Sequence, residues 1–202
     1  MAVADFIQAM PKVELNLRLE GAFPKETLLL VADQNEIASG MKHFNRWRDL
    51  LMNPESERLS ELIQTYCEWL RYPDDLSRLV YDAGLLLVKQ NVRYAEISLN
   101  PPLLMQPGMN FDQFMGAVND GRDRVERGWG IRINWLLSIP RHEPRKADEI
   151  VRWAVSAAGR RGRVVGVQLI GDEKAQPVGQ FERAFTAAHR KEMPAAIQAG
   201  QD

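Results

Sequence analysis

The chain has 202 residues, 26 Lys+Arg against 27 Asp+Glu (formal net charge −1), 45% hydrophobic and 26% charged residues. That is the composition of a folded chain long enough to bury a substantial core, and it excludes a disordered polypeptide. The balanced charge gives no electrostatic case for nucleic acid or a membrane surface. The longest apolar runs, such as Leu85-Leu86-Leu87-Val88, fall far short of the ~20 residues a membrane span requires. The first ten residues include Asp5 and no basic flank, so they do not read as a secretory signal, and the expectation is a cytoplasmic protein. A single cysteine, Cys67, excludes an internal disulfide and a cysteine-cluster metal site.

In chain order, the first strand signal is Val13–Leu19. Val13, Leu15, Leu17 and Leu19 are predicted on one face, with Glu14, Asn16, Arg18 and Glu20 on the other. Two helical stretches follow, about Lys25–Glu36 and Glu55–Arg71, forming a long helical insertion. Asp75–Gln90 is the next helix, with Asp74 or Asp75 expected as N-cap after Pro73. Tyr94–Leu99 alternates Ala95, Ile97 and Leu99 with Glu96, Ser98 and Asn100, and Pro101-Pro102 reads as a loop. A helix over Asp112–Arg127, entered through Asn110, precedes the strand Ile131–Ile139. A loop at Pro140–Pro144, a helix at Ala147–Ala158, a strand at Val164–Ile170, a helix at Gln180–Lys191 and a strand at Ala195–Gln198 complete the pattern.

Strands alternating with helices imply βαβ units and parallel strands in an α/β fold, either doubly wound or a (β/α) barrel. Strands buried on both faces of an open sheet read as continuous apolar runs. Polar residues recur here on one face, which suits a barrel with a site near the strand ends. No repeat or linker divides residues 1–202, so one domain is expected.

Five segments, in order, carry a resemblance. PKVELNLRLEGA from Pro11, VRYAEISLNPPLL from Val92, SIPRHEP from Ser138, VVGVQLIGDE from Val164 and AAIQAGQD from Ala195 resemble the first five strand regions of the adenosine deaminase family. That family lies within the metal-dependent amidohydrolase superfamily. The resemblance implies the N-terminal five βα units of a (β/α)8 TIM-type barrel, with a helical insertion after the first strand. It also implies a zinc ion that activates water for attack at the purine amino carbon. The ligands implied are two first-strand histidines two residues apart and a histidine on the fifth strand, with a nearby glutamate shuttling protons.

The sequence departs from that pattern at each of these positions. Asn16 and Arg18 stand at the first-strand histidines, Gln198 at the fifth-strand histidine and Gln201 at the glutamate. Amides are poor zinc ligands, and a guanidinium, always protonated, cannot ligate. Glutamine at 201 cannot donate or accept a proton near neutral pH. Ser98 and Gln168 are neutral where the family commonly carries an arginine and an aspartate. The expectation is therefore a pseudoenzyme with no zinc. Arg18 is expected to pair with Glu14, Glu20 or Glu96.

Two positions resemble substrate contacts. Glu20 corresponds to an acidic residue near the ribose 5′-hydroxyl, although an ordinary end-of-strand polar residue is the favoured reading. Gly171 corresponds to a glycine whose N–H meets the purine ring, although a turn glycine with positive φ is favoured. His43, His142 and His189 read as surface or capping residues, and no pair of them has metal spacing. Arg160-Arg161-Gly162-Arg163 reads as a solvated helix end, and Cys67 as a small apolar helix residue. Trp47, Trp69, Trp129, Trp135 and Trp153 read as core or helix-packing residues.

A closed eight-stranded barrel takes ~250 residues or more, and five strands leave open edges and an inner face to cover. Self-association, a partner chain supplying the other strands, or membership of a longer protein would each do so. Three functions stay open: a pseudoenzyme with a structural, regulatory or binding role, a subunit or fragment of an active purine deaminase, and a purine nucleoside binding module.

Overall fold

A computed structural model describes residues 3–200. Helix α1 (Val3–Ala9) leads into strand β1 (Lys12–Arg18). The insertion follows as α2 (Lys25–Gln34), α3 (Ile37–Gly40), α4 (Phe44–Met52) and α5 (Leu59–Cys67). Then come α6 (Pro73–Lys89), β2 (Val92–Leu99), α7 (Pro101–Leu104), α8 (Phe111–Trp129) and β3 (Arg132–Pro140). The chain continues through α9 (Ala147–Val155), α10 (Ala157–Arg161), β4 (Val164–Ile170), α11 (Glu182–Arg190) and β5 (Ala195–Ile197). The five strands run parallel in the order β1-β2-β3-β4-β5. They form a curled half-barrel with helices on its convex side.

Period-2 patterning explains the layers. Ala95, Ile97 and Leu99 of β2, Ile133, Trp135, Leu137 and Ile139 of β3, and Val167 and Leu169 of β4 are all at most 1% exposed. They meet the apolar stripes of α6, α8 and α9, and each fully buried branched side chain contributes ~1.5–3 kcal/mol. The α6–α8 crossing is close because Gly84 faces Val125 and Gly121 faces Ser77 and Val80. The opposite strand face carries polar groups: Tyr94 donates to Glu96 (2.6 Å) and accepts from Asn134 (3.0 Å), and Gln168 donates to Ser138 (3.0 Å).

Capping residues act mostly as the pattern implies. Asn110 caps α8, accepting from the Gln113 N–H at 2.9 Å, while Gln113 accepts from the Asn110 N–H. At α6 the N-cap expectation needs correction: Pro73 takes the first helical position and Asp75 sits two residues further in. The Asp75 carboxylate accepts from the backbone N–H groups of Arg71 and Tyr72 and from the Asn35 amide, so it ties the insertion to α6. Ser156 interrupts the expected helix at 147–158 by capping α10. The helices α1, α3, α4 and α7 lie outside the sequence expectations. Each is short, so few residues contribute a periodic signal.

β1 corrects the expected alternation. Asn16 has φ +60°, and the register with β2 shifts between Glu14 and Leu17. Asparagine tolerates this left-handed conformation better than most residues, and the bulge breaks the two-residue period. Val13 and Leu15 are about 60% exposed, and Leu17 packs against the core. Val3, Phe6, Ile7 and Met10, in and just after α1, are exposed as well.

Trp129 also departs from expectation, being more than half exposed at the end of α8, whereas Trp69 and Trp135 are buried. Arg163 is not simply solvated: it pairs with Glu126 at 2.6 Å. Beside it Arg122 is buried against Trp135 and donates to the Gly162 carbonyl, and burial holds its guanidinium below the ordinary arginine range. Among the described residues no helix is long and apolar enough to cross a membrane.

Candidate functional site

The carboxyl ends of β1–β4 and the loops after them surround a cavity of about 610 Å³. Arg18 enters it at the end of β1, Asn100 at the end of β2, Pro140 and His142 after β3, and Gly171 after β4. This is the end of a parallel (β/α) array where loops and strand termini bring side chains from several units together.

Arg18 and Gln198 are each bound to their neighbours. Arg18 donates through Nε and Nη2 to Glu20 Oε1 at 3.1 and 2.8 Å. Of the three carboxylates expected as partners, the structure selects Glu20, because the chain turns through a 3-10 turn at Glu20–Ala22 and brings it back. Glu96 is engaged by Tyr94 instead, and that bond, with burial behind it, holds the Tyr94 phenol above its ordinary range. Glu20 is 1% exposed, so it is not an ordinary solvated strand end, and its Oε2 has no partner. Its carbonyl accepts from Tyr66 Oη at 2.5 Å. Burial first, then the neighbouring Cys67 and Glu20, pushes the Tyr66 phenol well above its ordinary range.

Gln198 follows β5, and its backbone N–H pairs with the Leu169 carbonyl at 2.9 Å. Its side-chain Oε1 accepts a long hydrogen bond, 3.4 Å, from the Gly171 N–H. Gly171 has φ +99°, a conformation that glycine adopts at little steric cost. Asn16 is exposed at the bulge. Gln201 lies outside the described residues.

Sequence reading passed over Arg141. It is 1% exposed, donating from Nη2 to the Gln198 carbonyl (2.9 Å) and from Nη1 to the Gln176 carbonyl (3.3 Å). It thus holds the loops after β3, β4 and β5 together. An arginine directly after an apolar strand was the available signal, but nothing local shows that it folds inward. His142 and His189 are exposed, and His43 begins α4 at φ +63° without a side-chain cap bond. Cys67 is buried, and burial pushes its thiol well above the ordinary range, so it does not present a thiolate nucleophile.

The donor set does not fit zinc. Positions 16, 18 and 198 offer two neutral amides and a guanidinium, and the Gln198 oxygen is already engaged. Among the described residues no three His, Cys, Asp or Glu side chains are grouped to hold a metal ion.

Parallel strands, convex helices and a polar site at the strand ends define part of a TIM-type amidohydrolase barrel. The family described as Adenosine deaminase matches residues 11–202, and the chain belongs to that family. It is 26% identical to an adenosine deaminase of Shewanella woodyi, covering 96% of this chain and 60% of that protein. It is 26% identical to an aminodeoxyfutalosine deaminase of Streptomyces avermitilis (98% and 55%). It is 27% identical to an adenine deaminase of Pseudomonas syringae pv. tomato (98% and 62%). Among solved structures, the N6-methyl-AMP deaminase of Arabidopsis thaliana superposes with a TM-score of 0.85 at 24% identity, over 98% of this chain and 60% of that one. An amidohydrolase from Burkholderia ambifaria with bound Zn gives 0.83 at 25% identity, over 99% and 55%. The chain therefore spans only about 55–62% of the length of these relatives.

Proposed function

We propose that this chain is a catalytically inactive relative of the adenosine deaminases, a cytoplasmic pseudoenzyme with a structural, regulatory or binding role and no bound zinc. One observation carries the reading: residues at the metal-ligand positions engage residues at the substrate positions. Arg18 clasps Glu20, and Gln198 takes the Gly171 N–H. Those contacts are the ones the family resemblance assigns to a nucleoside, so they also argue against the purine-binding reading. The departures are mutually consistent: without a dication, carboxylates at a metal site lose their counter-charge, and amides can hydrogen-bond there without burying charge.

The test is zinc content together with adenosine deamination. Less than stoichiometric zinc and no inosine are expected; stoichiometric zinc with turnover overturns the proposal. Calorimetry with adenosine and inosine is expected to be silent for both.

The coverage of the relatives favours a second reading, in which this polypeptide is one part of an active deaminase and essential residues lie elsewhere. The unpaired edges of β1 and β5 support a role for self-association or a partner chain in covering them. Light scattering addresses this, since a clean monomer counts against both.

A further inference from the structure

The half-barrel is open along one side. The strand order β1-β2-β3-β4-β5 leaves β1 and β5 each with one unpaired edge among the described residues. All three residues of β5, Ala195–Ile197, are exposed, and so are Val13 and Leu15 of β1. Parallel strands are ordinarily covered on both faces, and an uncovered apolar edge strand is a template for pairing with another chain. Helix α1 presents a second uncovered surface. Val3, Phe6 and Ile7, with Met10 just beyond, recur at the spacing of one helix face. Each is at least 42% exposed, and no residue of α1 is buried. A seven-residue helix is marginal on its own in water, so this face calls for a cover. The Asn91 amide, just before β2, donates to the Ala9 carbonyl and holds α1 at the amino end of the β1–β2 pair.

Two observations size the occupant. The chain superposes on TIM-type relatives with TM-scores of 0.83 and 0.85 over 98–99% of its length. Its curl is therefore that of an eight-stranded barrel, and the gap between β1 and β5 is three strands wide. A second copy, with five strands, does not fit that gap without opening the curl, because strand number and barrel diameter are linked. In the Shewanella woodyi enzyme the 198 matched residues are 60% of the chain; the ~130 left over exceed the roughly 90 that three units need at ~30 residues each. We propose that the open side docks a separate polypeptide of three parallel βα units. Its first strand pairs with β5, its last with β1, and one of its helices covers the apolar face of α1. This deepens the partner-chain reading above, on which it rests.

The test co-produces the intact chain with the part of the Shewanella woodyi adenosine deaminase that lies beyond its match to this chain. Light scattering is expected to give the mass of one copy of each, and amide exchange in β1 and β5 should slow at least about tenfold in the complex. Val13→Lys with Leu15→Lys, and separately Phe6→Lys with Ile7→Lys, alter exposed positions only. The thermal melting of the chain by itself should therefore hold, while each pair should weaken the complex at least about tenfold by placing charge in an apolar contact. A chain that stays alone, or that pairs with a second copy, overturns the proposal together with the partner-chain reading. A complex that neither pair of substitutions weakens overturns the proposed docking alone. Zinc content and turnover of the chain by itself report separately on the inactive reading.

Discussion

Replacing Arg18 by methionine leaves the Glu20 carboxylate, 1% exposed, without its counter-charge. Removing one partner of a fully buried ion pair costs ~3–5 kcal/mol. Arg18 is itself 42% exposed, and water screens its share, so a cost of about 2.5 kcal/mol is expected. Replacing the carboxylate as well removes the buried charge, and most of that cost should be recovered. The reference is Arg18→Met with Glu20→Gln, which lacks the buried carboxylate. Urea unfolding, followed by the fluorescence of buried Trp69 and Trp135, should find the single variant less stable than the double by about 2.5 kcal/mol at pH 7.5. Equal stabilities would refute the claim that Arg18 compensates a buried charge.

Gly121→Ala drives a methyl group into the Ser77 carbonyl and Val80 at the α6–α8 crossing, and a loss of about 2–3 kcal/mol in denaturant unfolding is expected. Arg141→Ala removes donors from the Gln176 and Gln198 carbonyls; amide exchange should accelerate at least about tenfold in β5 while β2 and β3 keep their protection. The Tyr94 phenol should titrate above ordinary tyrosine in an ultraviolet pH scan, and Glu96→Gln should bring it down, because the hydrogen bond to that carboxylate is what chiefly holds the proton on. Restoring Asn16→His, Arg18→His, Gln198→His and Gln201→Glu together should not produce adenosine turnover, since this chain spans only about 60% of an active relative such as the Shewanella woodyi enzyme.

Much of the fold was legible because burial on one face of a strand imposes a period that residue types record directly. Tyr94–Leu99 and Val164–Ile170 lie within the observed strands. The Asn110 cap could be read because its bonds close within three residues. The site was legible in composition and not in arrangement. That amides and a guanidinium stand at positions 16, 18 and 198 is a matter of side-chain chemistry, which no folding alters.

Which groups those side chains meet depends on distances across the chain. Choosing Glu20 over Glu14 and Glu96 required the turn after β1, and the Gln198–Gly171 contact spans 27 residues. Arg141 is a surface residue by type and a buried clasp by position, since only packed loops supply the carbonyls that replace water around it. The exposure of Val13 and Leu15 likewise belongs to tertiary structure, because an apolar strand is buried only where neighbouring elements lie over it. The sequence by itself thus determined the parallel (β/α) class, through periodicity, and the amide and guanidinium chemistry of positions 16, 18 and 198. Tertiary structure alone decided that Arg18 meets Glu20, that Gln198 meets Gly171 and that Asn100 Oδ1 is left without a donor, because hydrogen bonding depends on geometry that residue type does not encode.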